Sequence, residues 1–173
     1  MKLSLFTTAI CLMASSAMAQ HAHSPLEITE TGQSQFAAIA EIVTVLRDES
    51  MTDWTQVEIT ALRDHLVDMD RVTTQATVTR KMDGFSVTFS VTGNESVAQS
   101  IERMVLAHSP MLALDTGWQV AAQAQTNGAT MTVTVASQAA LDEVNGLGFF
   151  GVMTVGAHHQ QHHLMIATGR SPH

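Results

Sequence analysis

The chain has 173 residues, 45% of them hydrophobic and 14% charged, with a formal net charge of −8. That length fits one domain with a real core, and the acidic balance argues against nucleic acid or an anionic membrane as partner and for a cation. Aromatic residues make up only 5%, with no tyrosine, so a stacked aromatic surface for sugars is not expected.

Residues 1–19 read as a secretory signal. Lys2 gives a short positive start, residues 3–13 are mostly apolar, and Ala17-Met18-Ala19 is an A-x-A cleavage site. The apolar run is too short to cross a bilayer. Cys11 lies inside it, and Ile10 before it argues against a lipid-attachment cysteine. Cleavage after Ala19 removes Lys2, taking the net charge from −8 to −9, and removes the chain's 1 cysteine. Disulfides, thiolate metal sites and cysteine nucleophiles are then excluded, and the expected location is periplasmic or secreted.

Residues 20–34 look like a flexible leader. It carries His21 and His23 beside the new amino terminus, an arrangement that can chelate divalent copper or nickel, although a polar tail is the plainer reading. Residues 35–169 form the expected single domain and residues 170–173 a tail. Phe36, Ile39, Ala40, Val43 and Leu46 recur at helical spacing and predict a helix over 35–48. Asp53 or Thr55 can cap a second helix running to about Met69.

Residues 71–80 then read as a strand. A turn with the Asp83-Gly84 signal follows, and after it Phe85, Val87, Phe89 and Val91 alternate with polar residues as a half-buried strand does. A third helix is expected from Ser96 to about Leu112, kinked or ended by Pro110. Strands over 117–125 and 129–136 flank a turn at Asn127-Gly128. A fourth helix spans 138–155, weakened by Gly146, Gly148 and Gly151, with Gly156 as its terminator. Residues 163–168 suggest a fifth, short C-terminal strand.

This order contains a repeat: residues 61–93 match residues 100–137 in kind and length. Two helix-β-β units predict an α+β fold, with a four-stranded antiparallel sheet and helices packed on one face.

The chemistry-bearing stretch is His158-His159-Gln160-Gln161-His162-His163, followed by Met165. Imidazole is the commonest protein ligand for zinc, copper, nickel and iron, and His-rich tracts suit metals. On a helix His158 and His162 lie four apart, as do His159 and His163; on a strand His159, His163 and Met165 share a face. A solvated polar turn is the bland alternative. The tract is internal, between Phe149-Phe150 and Leu164-Met165-Ile166, so it is not an expression tag.

The repeat carries a second candidate site. His65 and Met69 are four apart in the first unit, and Met104 and His108 are four apart in the second, with Met111 near. Aligning the units sets His65 against Met104 and Met69 against His108. Met153 on the fourth helix can join them. Each methionine alone is ordinary core filler, and His108 sits on an apolar stripe between Val105 and Leu112.

Mixed imidazole and thioether ligands without cysteine point to copper, as Cu(I) or Cu(II), with zinc as the alternative because Asp64 and Asp68 flank His65. The expected function is an exported copper carrier, buffer or chaperone, whose flexible tract captures the ion and passes it inward. A further periplasmic or membrane protein would receive it. An envelope interaction or pH-sensing module with structural histidines is one alternative. A non-covalent haem binder is another, since C-x-x-C-H is absent. No catalytic motif is present, so the chain is not read as an enzyme.

Overall fold

Alternation of branched or aromatic residues with hydroxyl residues builds the two central strands of the sheet. The computed structural model describes residues 34–156 and 159–170, with backbone alone for His159 and Gln160. The expected signal segment, residues 20–33 of the leader with His21 and His23, and His158 lie outside the described residues.

The elements run α1 (Ser34–Asp48), α2 (Ile59–Gln75), β1 (Thr77–Asp83), β2 (Ser86–Thr92), α3 (Glu95–Thr116), β3 (Gln119–Gln125), β4 (Gly128–Thr134), α4 (Gln138–Val152) and α5 (His159–Ala167). The fold is α+β, and the sheet is antiparallel with strand order β1-β2-β4-β3. Across the central pair Val87 opposes Val133, Phe89 opposes Met131 and Val91 opposes Ala129, all buried. On the other face Ser86 and Thr88 share hydroxyl hydrogen bonds with Thr134 and Thr132, at 2.7 and 3.0 Å. One apolar face and one hydroxyl face explain the strict alternation.

The first hairpin turns through Gly84-Phe85, with Gly84 at φ 56°, at the position where a two-residue loop of the II′ class needs a positive φ. Gly128 begins β4 against the Val91 carbonyl, so close that a side chain there would collide with it. The strands of the second hairpin, starting at Gln119 and Gly128, lie 42 residues after Thr77 and Ser86, which start the first. That spacing differs from the 39 implied by setting His65 against Met104. Within the strands, Phe89 and Met131 are therefore equivalent positions, and they face each other across the central pair.

Helices α3 and α4 bring Val97, Ile101, Val105, Leu141, Val144 and Phe149 onto the apolar face of the sheet. Helix α2 packs on α3. Together with α1 and α5 it closes a smaller core of Ile42, Leu46, Leu62, Leu66 and Ala167, and Met69 touches both cores. Asn94 caps α3 by accepting from Val97 N–H, and Ser137 caps α4 by accepting from Ala140 N–H.

Several boundaries differ from the sequence reading. Residues 71–75 are the last turn of α2, not strand. Thr73 and Thr74 are at home there because their hydroxyls donate to the carbonyls of Met69 and Asp70. Helix α3 continues through Pro110 to Thr116 and ends at Gly117, φ 71°, because burial of Leu112 in the main core holds the last turns in place. Helix α4 stops at Val152 and is kinked at Gly148, whose φ of 59° and ψ of −173° suit glycine alone. The suggested fifth strand over 163–168 is instead part of helix α5. From its apolar run, Leu164 and Ile166 pack against α2 and α1 rather than extending the sheet.

Candidate metal centre

The meeting of the two cores is where the histidines gather. His65 stands on α2, His108 on α3, and His162 and His163 on α5. Ring centroids are 4.8 Å apart for His65–His162, 5.4 Å for His108–His162, 5.6 Å for His65–His163, and 6.3 Å for both His65–His108 and His162–His163. His108, His162 and His163 are only 5–6% exposed. The remaining ring, His65, is half-buried. Imidazole nitrogens about 2 Å from a tetrahedral ion would put neighbouring ring centroids about 5 Å apart. The observed spacings bracket that value.

The rings stand stacked, tilted or edge-on to one another, the planes of His65 and His108 within 7° and those of His65 and His163 at 68°. Among the described residues no three His, Cys, Asp or Glu side chains already aim their donor atoms as a metal site would. The backbone sets the spacing of the rings, and side-chain torsions set where their nitrogens point.

One ring has its tautomer fixed by the fold. Nδ1 of His108 lies 2.9 Å from the Met104 carbonyl. A carbonyl only accepts, so Nδ1 is the donor, and in the neutral ring Nε2 holds the lone pair. Orientation of this kind, through the second ring nitrogen, is what metal-binding histidines commonly have.

The thioethers surround the same ring. A cavity of about 60 Å³ is lined by Met69, Met104, Met153 and His108, with Phe149 and Phe150 closing it. A smaller one, about 10 Å³, joins His108 to Met111 and Met153. Met104 is buried, while Met69, Met111 and Met153 are half-buried. Met165 is half-buried on α5, and its carbonyl accepts the Arg170 N–H at 2.9 Å at the helix end. The expected inner set thus comes together around His108.

The tract divides. His162 and His163 belong to the buried cluster, not to a flexible capture arm. Helix α5 lays them on α2, and residues four further on, Ile166 and Ala167, reach the smaller core. His159 lies in α5, with its side chain outside the described residues, as is all of His158.

An ion pair that the sequence reading missed stands beside the cluster. The Asp68 carboxylate receives Arg103 Nε and Nη2, both at 2.7 Å, and Ser100 Oγ at 2.7 Å. Burial pushes the Asp68 carboxyl up, but the hydrogen bonds from Arg103 and Ser100 and the charges of Arg103 and Arg71 outweigh it and hold the group below the usual carboxylate range. The same pairing raises the Arg103 guanidinium. The available signal was the spacing of Asp68 one turn after His65 and of Arg103 next to Met104.

Comparison with protein-family models, with curated proteins and with solved structures found no match to this chain. Among the described residues no helix is long and apolar enough to cross a membrane.

Proposed function

We infer that this chain is an exported metal-binding protein, acting on copper as carrier, buffer or chaperone, with zinc as the competing ion. The observation that carries the reading is the convergence of four imidazoles from three helices at centroid spacings of 4.8–6.3 Å. An isolated buried histidine is ordinary core; four gathered at one point from separate segments need a reason, and a shared cation supplies one. Neutral imidazoles accommodate Cu(II) and zinc. The thioethers of Met69, Met104 and Met153 beside His108 favour Cu(I), the softer ion, and they bind it without a proton to lose. Copper is preferred to zinc because carboxylate is scarce in the inner set: Asp68 is committed to Arg103.

His158 and His159 complete the proposed ligand group as a capturing pair ahead of His162 and His163. Residues 1–19 as an export signal belong to the same proposal, as does a periplasmic or membrane protein that receives the metal. Competition titration of untagged protein against chelators of known affinity, for Cu(I) and Cu(II) separately, tests it. Tight binding of either ion at one per chain supports the carrier. Absence of both, with melting that depends on pH between about 5 and 8, would leave the histidines as a pH-sensing module, and a Soret band in the isolated protein would point to haem.

A further inference from the structure

The histidine cluster meets solvent through an open cleft of about 630 Å³ between α2, α3 and the end of α5. His65 and Met104 line it, so it touches the imidazole set and the thioether set together. An ion held only by protein ligands needs roughly the room of one water, about 30 Å³. The cleft is instead within the range of small-molecule sites, about 300–1,000 Å³.

Its charges are mixed rather than uniformly acidic. Glu58, Asp64 and Asp68 line it together with Arg103 and Arg170. Arg103 is engaged by Asp68 through two 2.7 Å hydrogen bonds. Arg170 is exposed, with Nε 3.3 Å from Thr168 Oγ1, and among the described residues lining the cleft it is the second cation beside Arg103, open to an incoming anion. A bare cation would be served best by carboxylates alone. A cleft with both signs suits a metal that arrives wrapped in a small ligand bearing a carboxylate and an amine.

We propose that the cleft is a docking site for a small amino-carboxylate chelate of Cu(II), from which His65 takes the ion. The proposal rests on the metal reading above. The Arg170 guanidinium holds the chelator's carboxylate while a ring nitrogen of His65 forms a bond to copper. The copper–carboxylate and copper–amine bonds then break in turn. Copper stays Cu(II) throughout, so no reductant is involved. The displaced amine takes a proton from solvent, and the resulting ammonium is favoured by Glu58 on the cleft wall. Later imidazoles draw the ion down from His65 towards His162 and His108.

The probe is the bis-glycinate complex of Cu(II), compared with aquo Cu(II) in a non-coordinating buffer, each mixed with metal-free full-length protein in stopped flow. Docking predicts an uptake rate that saturates with glycinate-chelate concentration and stays linear with aquo ion. Arg170→Ala should raise the half-saturating chelate concentration about fivefold, the upper end for one exposed ion pair, and Arg170→Lys should restore most of it. Circular dichroism confirms that both variants fold. A linear rate with the chelate, or identical saturation in parent and Arg170→Ala, overturns the docking site while leaving metal binding intact. If neither form of copper loads the parent at all, the metal reading itself fails and this proposal goes with it.

Discussion

Replacing His65 by Gln separates a metal ligand from a core residue, because the two roles predict different responses to added metal. His65 is half-buried and central: its ring lies 4.8 Å from His162, 5.6 Å from His163 and 6.3 Å from His108. Glutamine keeps a polar side chain of similar reach on α2, so the structural cost should be near the ordinary value for a point change, about 1 kcal/mol. The ligand cost is larger. A metal that binds only the folded chain stabilises it by about 2.7 kcal/mol at a free concentration one hundred times Kd. For a domain of this size that raises Tm by roughly 5–10 °C. Even an outer partner of a metal ligand is worth about 10–100-fold in affinity, so a lost ligand should cost at least about 100-fold. At the same free metal concentration the variant then gains only about 0.4 kcal/mol, a shift of about 1 °C. The assay is differential scanning fluorimetry of untagged parent and variant, with and without copper held at a buffered free concentration. An equal metal-induced rise in both proteins would refute the claim that His65 binds the ion.

Other outcomes follow from burial, charge and backbone geometry. His162→Gln with His163→Gln should lower stability without metal by about 2 kcal/mol, since both rings are 5% exposed; chemical denaturation checks this, and an unchanged midpoint would show the two rings are surface. Asp68 has a depressed carboxyl pKa in the fold, so its contribution is present above the unfolded carboxylate value, near 3.9, and is lost as pH falls through the lower folded value. The stability gap between parent and Asp68→Asn should therefore be full near about pH 6 and shrink below about pH 4; a gap independent of pH would contradict the ion pair. Gly156→Ala should cost about 1–3 kcal/mol, because its φ is 66° and a methyl would strike the Asp115 side chain. Gly146→Ala, inside α4 with open space around it, should be neutral or stabilising by up to about 1 kcal/mol. Melting curves of the two glycine variants falling together would show that local geometry is not the cause.

The sheet was readable in the sequence because each central strand has one dry face and one wet face. Val87, Phe89 and Val91, then Met131 and Val133, had to alternate, and Asp83-Gly84 and Asn127-Gly128 marked the turns. Helix α5 was not readable. Leu164-Met165-Ile166 is too short an apolar run for periodicity to separate strand from helix, and only contact with α1 and α2 settles it. The end of α2 was misread because threonine favours strands until its hydroxyl finds a helical carbonyl, as Thr73 and Thr74 do. For the candidate site, the His65/Met69 and Met104/His108 spacings pointed to two helices, α2 and α3, that pack on each other. Their union with His162 and His163 is a tertiary event that no local pattern encodes. The partnership of Asp68 with Arg103, 35 residues apart in the chain, is of the same kind.

The four convergent imidazoles are proposed to hold a metal. X-ray absorption on untagged protein loaded with one equivalent of Cu(II), and again after reduction, tests it most directly. A metal held by these rings gives a nitrogen shell near about 2 Å with imidazole outer-shell scattering in the oxidised sample, and a sulfur contribution from the thioethers on reduction. A shell of oxygen alone, unaltered in a variant lacking His65, His108, His162 and His163, would contradict it.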